Sequence, residues 1–316
     1  MPVPIDVAEP LAYLNGEFVL HREAKLPIWD MGIVQGVTVT EAVRTFRHQP
    51  FRLEQHLGRL DRSMGALGLE PKESLTQLQH IAQQLVGFNS SLIEATDDLA
   101  VIVFVTAGES ALHAGGRATR AGQPTVCVYT YPLPLRAAAR GYEQGLSLVV
   151  PGVRHIPPAI IDPRIKYRSR LHWYLADREV RAIDPAAEAL LLDQNGFVTE
   201  TAKGNLFVLK GGLLMTPRSD TTLGGISQEF VLELAAGMGL ERHRADLTPQ
   251  EVVDAEEVWV SSTTTCLMPV VSLNSQPVGT GRPGPVFHQI VDQWSKQVGV
   301  DIVAQAVLAA QRPQVC

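Results

Sequence analysis

Two side chains in this sequence have types and positions from which chemistry can be argued. Lys166 lies in Arg164-Ile165-Lys166-Tyr167-Arg168-Ser169-Arg170-Leu171, and Glu200 closes Val198-Thr199-Glu200 ahead of Gly204-Asn205-Leu206-Phe207. An amine placed where a strand meets a helix can form a Schiff base, and a carboxylate on a neighbouring hairpin can hold a heteroaromatic nitrogen protonated. That pairing points to pyridoxal phosphate. Taken singly, Lys166 also reads as a solvated lysine at a helix start, and Glu200 as a charge that keeps an edge strand from aggregating.

The chain has six lysines. Lys210 stands beside a Gly-Gly turn, Lys296 falls on a polar helix face, and Lys25 and Lys72 fall in loops; of the six, Lys166 is the best placed to react. A cofactor phosphate needs helix N-termini or backbone nests. Gly225-Ile226-Ser227 and Ser262-Thr263-Thr264 offer two, although Ser227 also suits an N-cap. Arg59, on a helix face after His56, would close a phosphate cup as a fixed cation.

These residues need elements to carry them. Leu11 to Val19 has strand composition on both sides of Asn15-Gly16, a hairpin signal. Val37 to Phe46 reads as a strand, Leu53 to Met64 and Leu75 to Val86 as helices, and Leu99 to Thr106 and Pro124 to Tyr131 as buried strands. Two prolines in Tyr131-Pro132-Leu133-Pro134-Leu135 mark a linker. Beyond it, Leu146 to Val150 reads as a strand and Tyr167 to Ile183 as a helix, which puts Lys166 at a helix start. Hairpins follow around Gln194-Asn195-Gly196 and Gly211-Gly212, then a helix from about Gln228 to Met238, a strand at Val258-Trp259-Val260, and a helical tail beyond Gln293.

Composition narrows the function. A chain of 316 residues with 45% hydrophobic content suits two domains. The net charge of -6 with scattered arginines gives no field for nucleic acid. Cys127, Cys266 and Cys316 form no C-x-x-C pair, so no metal site is expected and a reducing cytoplasm is. The start carries no basic-then-apolar leader, and the longest apolar run, Leu99 to Val105, is too short to span a bilayer, so no membrane association is expected.

Taken together, Phe51-Arg52-Leu53-Glu54-Gln55-His56-Leu57-Gly58-Arg59-Leu60, Lys166, Glu200 with Asn205-Leu206-Phe207, Gly225-Ile226-Ser227, and Ser262-Thr263-Thr264 before Pro269-Val270 resemble the class IV aminotransferases. These fold-type IV pyridoxal phosphate enzymes include branched-chain aminotransferases, D-amino acid aminotransferases and aminodeoxychorismate lyases. The resemblance runs from about Leu14 to Trp294. It implies an α/β (α+β) protein of two domains: a small N-terminal α/β domain (1–131), a linker (132–138) and a larger C-terminal domain with a barrel-like β-core (139–316). It also implies Lys166 as the Schiff-base lysine and Glu200 as partner of the pyridine nitrogen. Arg59, Ile226, Ser227, Thr263 and Thr264 become phosphate ligands, Leu223 the residue that packs on the ring, and a homodimer the assembly.

The sequence departs from its relatives where they hold the substrate carboxylate. Leu171 stands five residues after the lysine, where branched-chain enzymes typically have tyrosine. Thr106-Ala107-Gly108 lacks the arginine of a T-R-G segment, Asp98-Leu99-Ala100 lacks a Y-x-R pair, and Thr40 replaces the aromatic residue before Glu41. Unless the substrate is an amine, another cation is needed: Arg44 first, then Arg168 and Arg170. Thr40, Thr264 and Thr265 complete the candidate substrate contacts. The expected activity is transfer of an amino group between a small amino acid, of D- or branched-chain type, and a 2-oxo acid. A lyase that releases pyruvate is the alternative, and a non-catalytic scaffold a third reading.

Overall fold

The computed structural model describes residues 8–313, so residues 1–7 and 314–316, Cys316 among them, lie outside the described part. The chain divides into two compact units. The first comprises Met1–Leu133 with Ile165–Ser169, and the second Pro134–Arg164 with Arg170–Cys316.

In the first unit, β1 (Leu11–Leu14) and β2 (Glu17–Leu20) form a hairpin over Asn15 and Gly16, whose φ angles of 51° and 105° are the positive values such a two-residue turn requires. Then come α1 (Met31–Val34), β3 (Thr38–Phe46), β4 (Gln49–Pro50), α2 (Leu53–Leu67), α3 (Leu75–Asn89), β5 (Leu99–Thr106), α4 (Ala111–Ala114) and β6 (Thr125–Pro132). They build a six-stranded sheet of order β2-β1-β6-β5-β3-β4. Strand side chains alternate between the faces. On one face Val39, Val43, Val101, Val103, Val126 and Val128 pack with Leu57, Leu60, Leu78 and Leu85 of the helices. On the other, Phe104, Ile102 and Cys127 gather Ala42, Leu14, Leu26 and Tyr129. Glu41 therefore points at α2, and Thr40 points away from it.

The second unit opens with α5 (Leu135–Gln144), so residues 135–138 of the expected linker are a first helical turn. It continues through β7 (Leu146–Val149), α6 (Leu171–Ile183), β8 (Glu188–Leu192), β9 (Val198–Thr201), β10 (Asn205–Lys210), β11 (Leu213–Pro217), α7 (Ile226–Gly237), β12 (Glu241–Ala245), α8 (Pro249–Val253), β13 (Glu257–Ser262), β14 (Cys266–Leu273), β15 (Gln276–Pro277), α9 (Pro285–Val298) and α10 (Ile302–Gln311). Its sheet runs β12-β11-β10-β13-β14-β7-β8-β9, and β9 returns to pair with β10. That last pairing closes six strands into the barrel-like ring the sequence led us to expect. Leu148, Leu190, Leu192, Val198, Leu206, Val208, Val258 and Val260 form one core of the unit. Trp173, Ala176 and Val180 of α6 pack on Ala189 and Leu191, the alternate positions of β8.

The segment carrying Lys166 differs from expectation. The helix begins at Leu171, not at Tyr167. Residues 166–168 are held instead along β3: Thr40 N donates to the Lys166 carbonyl (2.9 Å), Arg168 N donates to that of Thr38 (2.9 Å), and Tyr167 bridges Val39. Backbone groups spent on a strand cannot also start a helix.

Candidate active site

In the first unit the lysine is anchored from α2, where the Ser63 hydroxyl accepts a bond from Lys166 N (3.1 Å), and the side chain is half-buried. On the same helix Arg59, 5% exposed, grips Glu41, 0% exposed, through Nε (2.6 Å to Oε1) and Nη2 (2.8 Å to Oε2). His56 Nδ1 lies 2.7 Å from the same carboxylate. Burial pushes the Glu41 carboxyl up, but the Arg59 charge and hydrogen bonds, with that of His56, more than reverse this and bring it to about 2. Burial, opposed by Glu41 and reinforced by the Arg59 and Lys166 charges, lowers His56, which is therefore a neutral imidazole donating Nδ1–H to the carboxylate. Glu41 takes two of the five guanidinium donors and fixes the plane of Arg59. The sequence named Arg59 and missed the pair that aims it; the only signal was the helical spacing of His56 and Arg59, three apart on one face.

Three cations were candidates for the substrate carboxylate. Arg44 is only 2% exposed, with its guanidinium 4.0 Å from the Phe46 ring centroid and Nε donating to the Thr45 carbonyl (3.3 Å). Arg168 is exposed. Arg170 belongs to the second unit and donates to the Ala202 carbonyl. The Thr40 hydroxyl bonds to the Val103 carbonyl (3.0 Å).

In the second unit Glu200 sits where the ring closes, in direct register with Asn205. Its Oε2 accepts from Asn205 Nδ2 (3.1 Å) and from Leu223 N (3.3 Å), while Asn205 Nδ2 also donates to the Leu223 carbonyl (2.9 Å). His155 Nε2 stands 3.5 Å from Oε1. The two hydrogen bonds that Glu200 accepts come from uncharged groups, the Asn205 amide and the Leu223 backbone. A Cβ on Gly225 would lie 2.0 Å from Asn205 Oδ1, so only glycine lets this loop approach β10. Gly225 is the N-cap of α7, two residues earlier than expected, with its N–H donating to Gln228 Oε1 (3.4 Å). Ile226 and Ser227 therefore lie inside the first turn, among the amides that have no helical acceptor.

Thr263, Thr264 and Thr265 form the turn from β13 to β14. Thr265 holds the turn shut: its Oγ1 is 2.7 Å from Ser262 Oγ, its N donates to the same oxygen (3.2 Å), and its carbonyl accepts from Tyr142 OH (2.6 Å). Ser262, Thr264 and Thr265 line a cavity of about 610 Å³ together with Arg140, Lys203 and Met268. This donor set suits pyridoxal phosphate. Glu200 is a steadied acceptor for a ring N–H, and a helix of twelve residues offers first-turn amides and a hydroxyl to a phosphate.

A chain with a half-buried lysine, a steadied carboxylate and a helix N-terminus free of acidic residues at its first two positions matches one family. The amino-transferase class IV family model matches residues 38–273, and the chain belongs to that family of pyridoxal phosphate-dependent transferases. It is 29% identical to the branched-chain-amino-acid aminotransferase of Escherichia coli, over 88% of this chain and 89% of that one. To the D-alanine aminotransferase of Bacillus licheniformis it is 27% identical, over 87% and 93%. A branched-chain-amino-acid aminotransferase-like protein of Arabidopsis thaliana is 29% identical over 94% of this chain, which spans 52% of that protein. The crystal structure of the E. coli branched-chain enzyme superposes with a TM-score of 0.83 at 26% identity, covering 91% of this chain and 94% of that one. That of the T.th. branched-chain enzyme with pyridoxamine 5'-phosphate gives 0.81 at 25%, covering 93% and 95%. No helix among the described residues is long and apolar enough to cross a membrane.

Proposed function

We propose that this chain binds pyridoxal phosphate and moves an amino group between a small amino acid, of branched-chain or D-amino acid type, and a 2-oxo acid. The carboxylate of Glu200, fixed in direction by Asn205 and the Leu223 amide, is the observation that carries this reading. The bound cofactor supplies an aldehyde to take up the amino group and a ring that withdraws electrons from Cα. Glu200 favours the protonated ring nitrogen that this withdrawal needs. Lys166 would supply the amine that holds the cofactor and, when substrate is bound, the general base that takes the proton from Cα. For the phosphate the residues we assign are Arg59 in the first unit and Ile226, Ser227, Thr263 and Thr264 in the second, and Leu223 would pack on the ring.

Relatives named as aminotransferases favour transfer over a lyase reaction. The assembly we infer is a homodimer: Leu171, Tyr174 and Leu175 are 68%, 64% and 37% exposed along one side of α6, an apolar strip suited to a second copy. Cys127 is a buried free thiol, in keeping with a cytoplasmic setting.

The deciding experiment is the absorbance spectrum of the protein loaded with pyridoxal phosphate, before and after separate additions of D-alanine, L-leucine and L-glutamate without acceptor. Conversion to the pyridoxamine form by one donor is expected and fixes the stereochemistry. A loaded protein that no donor converts, or that releases pyruvate, overturns transamination.

A further inference from the structure

We propose that Arg168 is the residue that receives the substrate carboxylate, an assignment that rests on the aminotransferase reading above. Every residue in the argument belongs to the first unit. The bridge between Tyr167 and Val39 puts those two side chains on the face of β3 that meets α2, and so turns Arg168 to the opposite face with Thr40 and Ala42. The contacts agree. The Arg168 guanidinium lies 4.9 Å from the Phe104 ring centroid, and Nη2 donates to Tyr129 OH (3.3 Å). Phe104 and Tyr129 belong to the small apolar cluster of that face.

Three features make this cation suited to a ligand. It is exposed, yet an aromatic ring and a phenol hold its long side chain in one direction, which lowers the ordering cost of binding. Among the described residues of its unit no carboxylate pairs with it. It also follows Lys166 by two residues in a segment held along β3, a Cα separation of about 6–7 Å. An α-amino acid carries its carboxylate on the carbon whose proton must be moved. A guanidinium two residues along the same held segment as the lysine, with Phe104 beneath, holds the carboxylate by a planar fork and so fixes the direction in which that carbon is presented.

The test compares holoenzyme and Arg168→Ala in the donor half-reaction, using the reactive amino acid and the matching amine that lacks the carboxylate. Loss of a charge-assisted pair predicts a KM raised about 10- to 100-fold for the amino acid. The amine is expected to be unaffected, and the spectrum and affinity of the bound cofactor unchanged. Arg168→Lys keeps the charge without the fork and is expected to fall between. A KM within twofold of the parent, or an equal loss on the amine, overturns the assignment. If the parent loads cofactor but no donor reacts, the transaminase reading fails separately, and Arg168 is judged by calorimetric titration with 4-methylvalerate. Weaker binding to Arg168→Ala then supports a carboxylate site, and equal binding overturns it.

Discussion

Two carboxylates, one in each unit, are handled in opposite ways. Glu41 is fully buried and meets a guanidinium at 2.6 and 2.8 Å, so its charge is cancelled where it stands. Glu200 is half-buried and accepts its hydrogen bonds from an amide side chain and a backbone N–H, with the His155 ring 3.5 Å from its other oxygen and no guanidinium upon it. A paired carboxylate fixes structure, because separating it from its partner leaves a buried ion. One that accepts from an amide and a backbone N–H is fixed in direction without a guanidinium upon it. Glu41 aims Arg59, and Glu200 is the group we propose for the ring nitrogen.

Substitutions should separate these roles. Lys166→Ala is expected to have the largest effect: a loss of transamination of about 10³-fold or more, with the melting temperature close to that of the parent, since a general acid-base group contributes roughly 10²- to 10⁴-fold. Stopped-flow decay of the cofactor band reads it.

Glu41→Gln should act on stability first, because it strands Arg59; breaking a buried pair costs about 3–5 kcal/mol, measurable by urea unfolding. In the parent, Glu41 titrates at about 2 when folded against 4.5 ordinarily, so the unfolded chain takes up the proton first on acidification. The stabilisation is complete above pH 4.5 and is lost as pH falls towards 2, roughly 3 kcal/mol in all. His56, lowered by burial, changes stability in the same direction, since acid favours the unfolded, protonated imidazole. Unfolding free energies taken down the acid range should flatten in Glu41→Gln; a slope like the parent's would mean that the pair does not set acid stability.

Glu200→Gln keeps the shape and removes the charge. A fall in kcat of about 10²-fold with little change in stability is expected, comparable to deleting one preorganised electrostatic contact. If stability drops as far as in Glu41→Gln, the contrast between the two carboxylates collapses. Asn205→Ala removes a hydrogen bond to the charged Glu200 and should weaken cofactor affinity by about tenfold or more, by fluorescence titration. An affinity equal to the parent's would show that the Leu223 amide alone suffices.

Much of the fold was legible because its signals are local. The Asn15-Gly16 turn, the periodicity of α2 and α3, and the unbroken apolar run of β5 each specify their element within a few residues. The start of α6 was misplaced because its backbone competitor, β3, lies more than a hundred residues away. The same applies to the linker: prolines mark a break in pairing, and only packing decides that Leu135 already starts a helix.

By itself, then, the sequence determined which groups are available. A scarce lysine, a carboxylate before Asn-Leu-Phe, a Gly-Ile-Ser helix start and a missing carboxylate arginine are all matters of residue type and order. Tertiary structure decided which charges are cancelled and which are presented. Glu41 and Arg59 are 18 positions apart, Lys166 and Ser63 are 103, and Arg168 and Tyr129 are 39. No local propensity encodes such pairs; they arise when sheet register and helix packing bring distant side chains within hydrogen-bond reach, where burial strengthens their interaction.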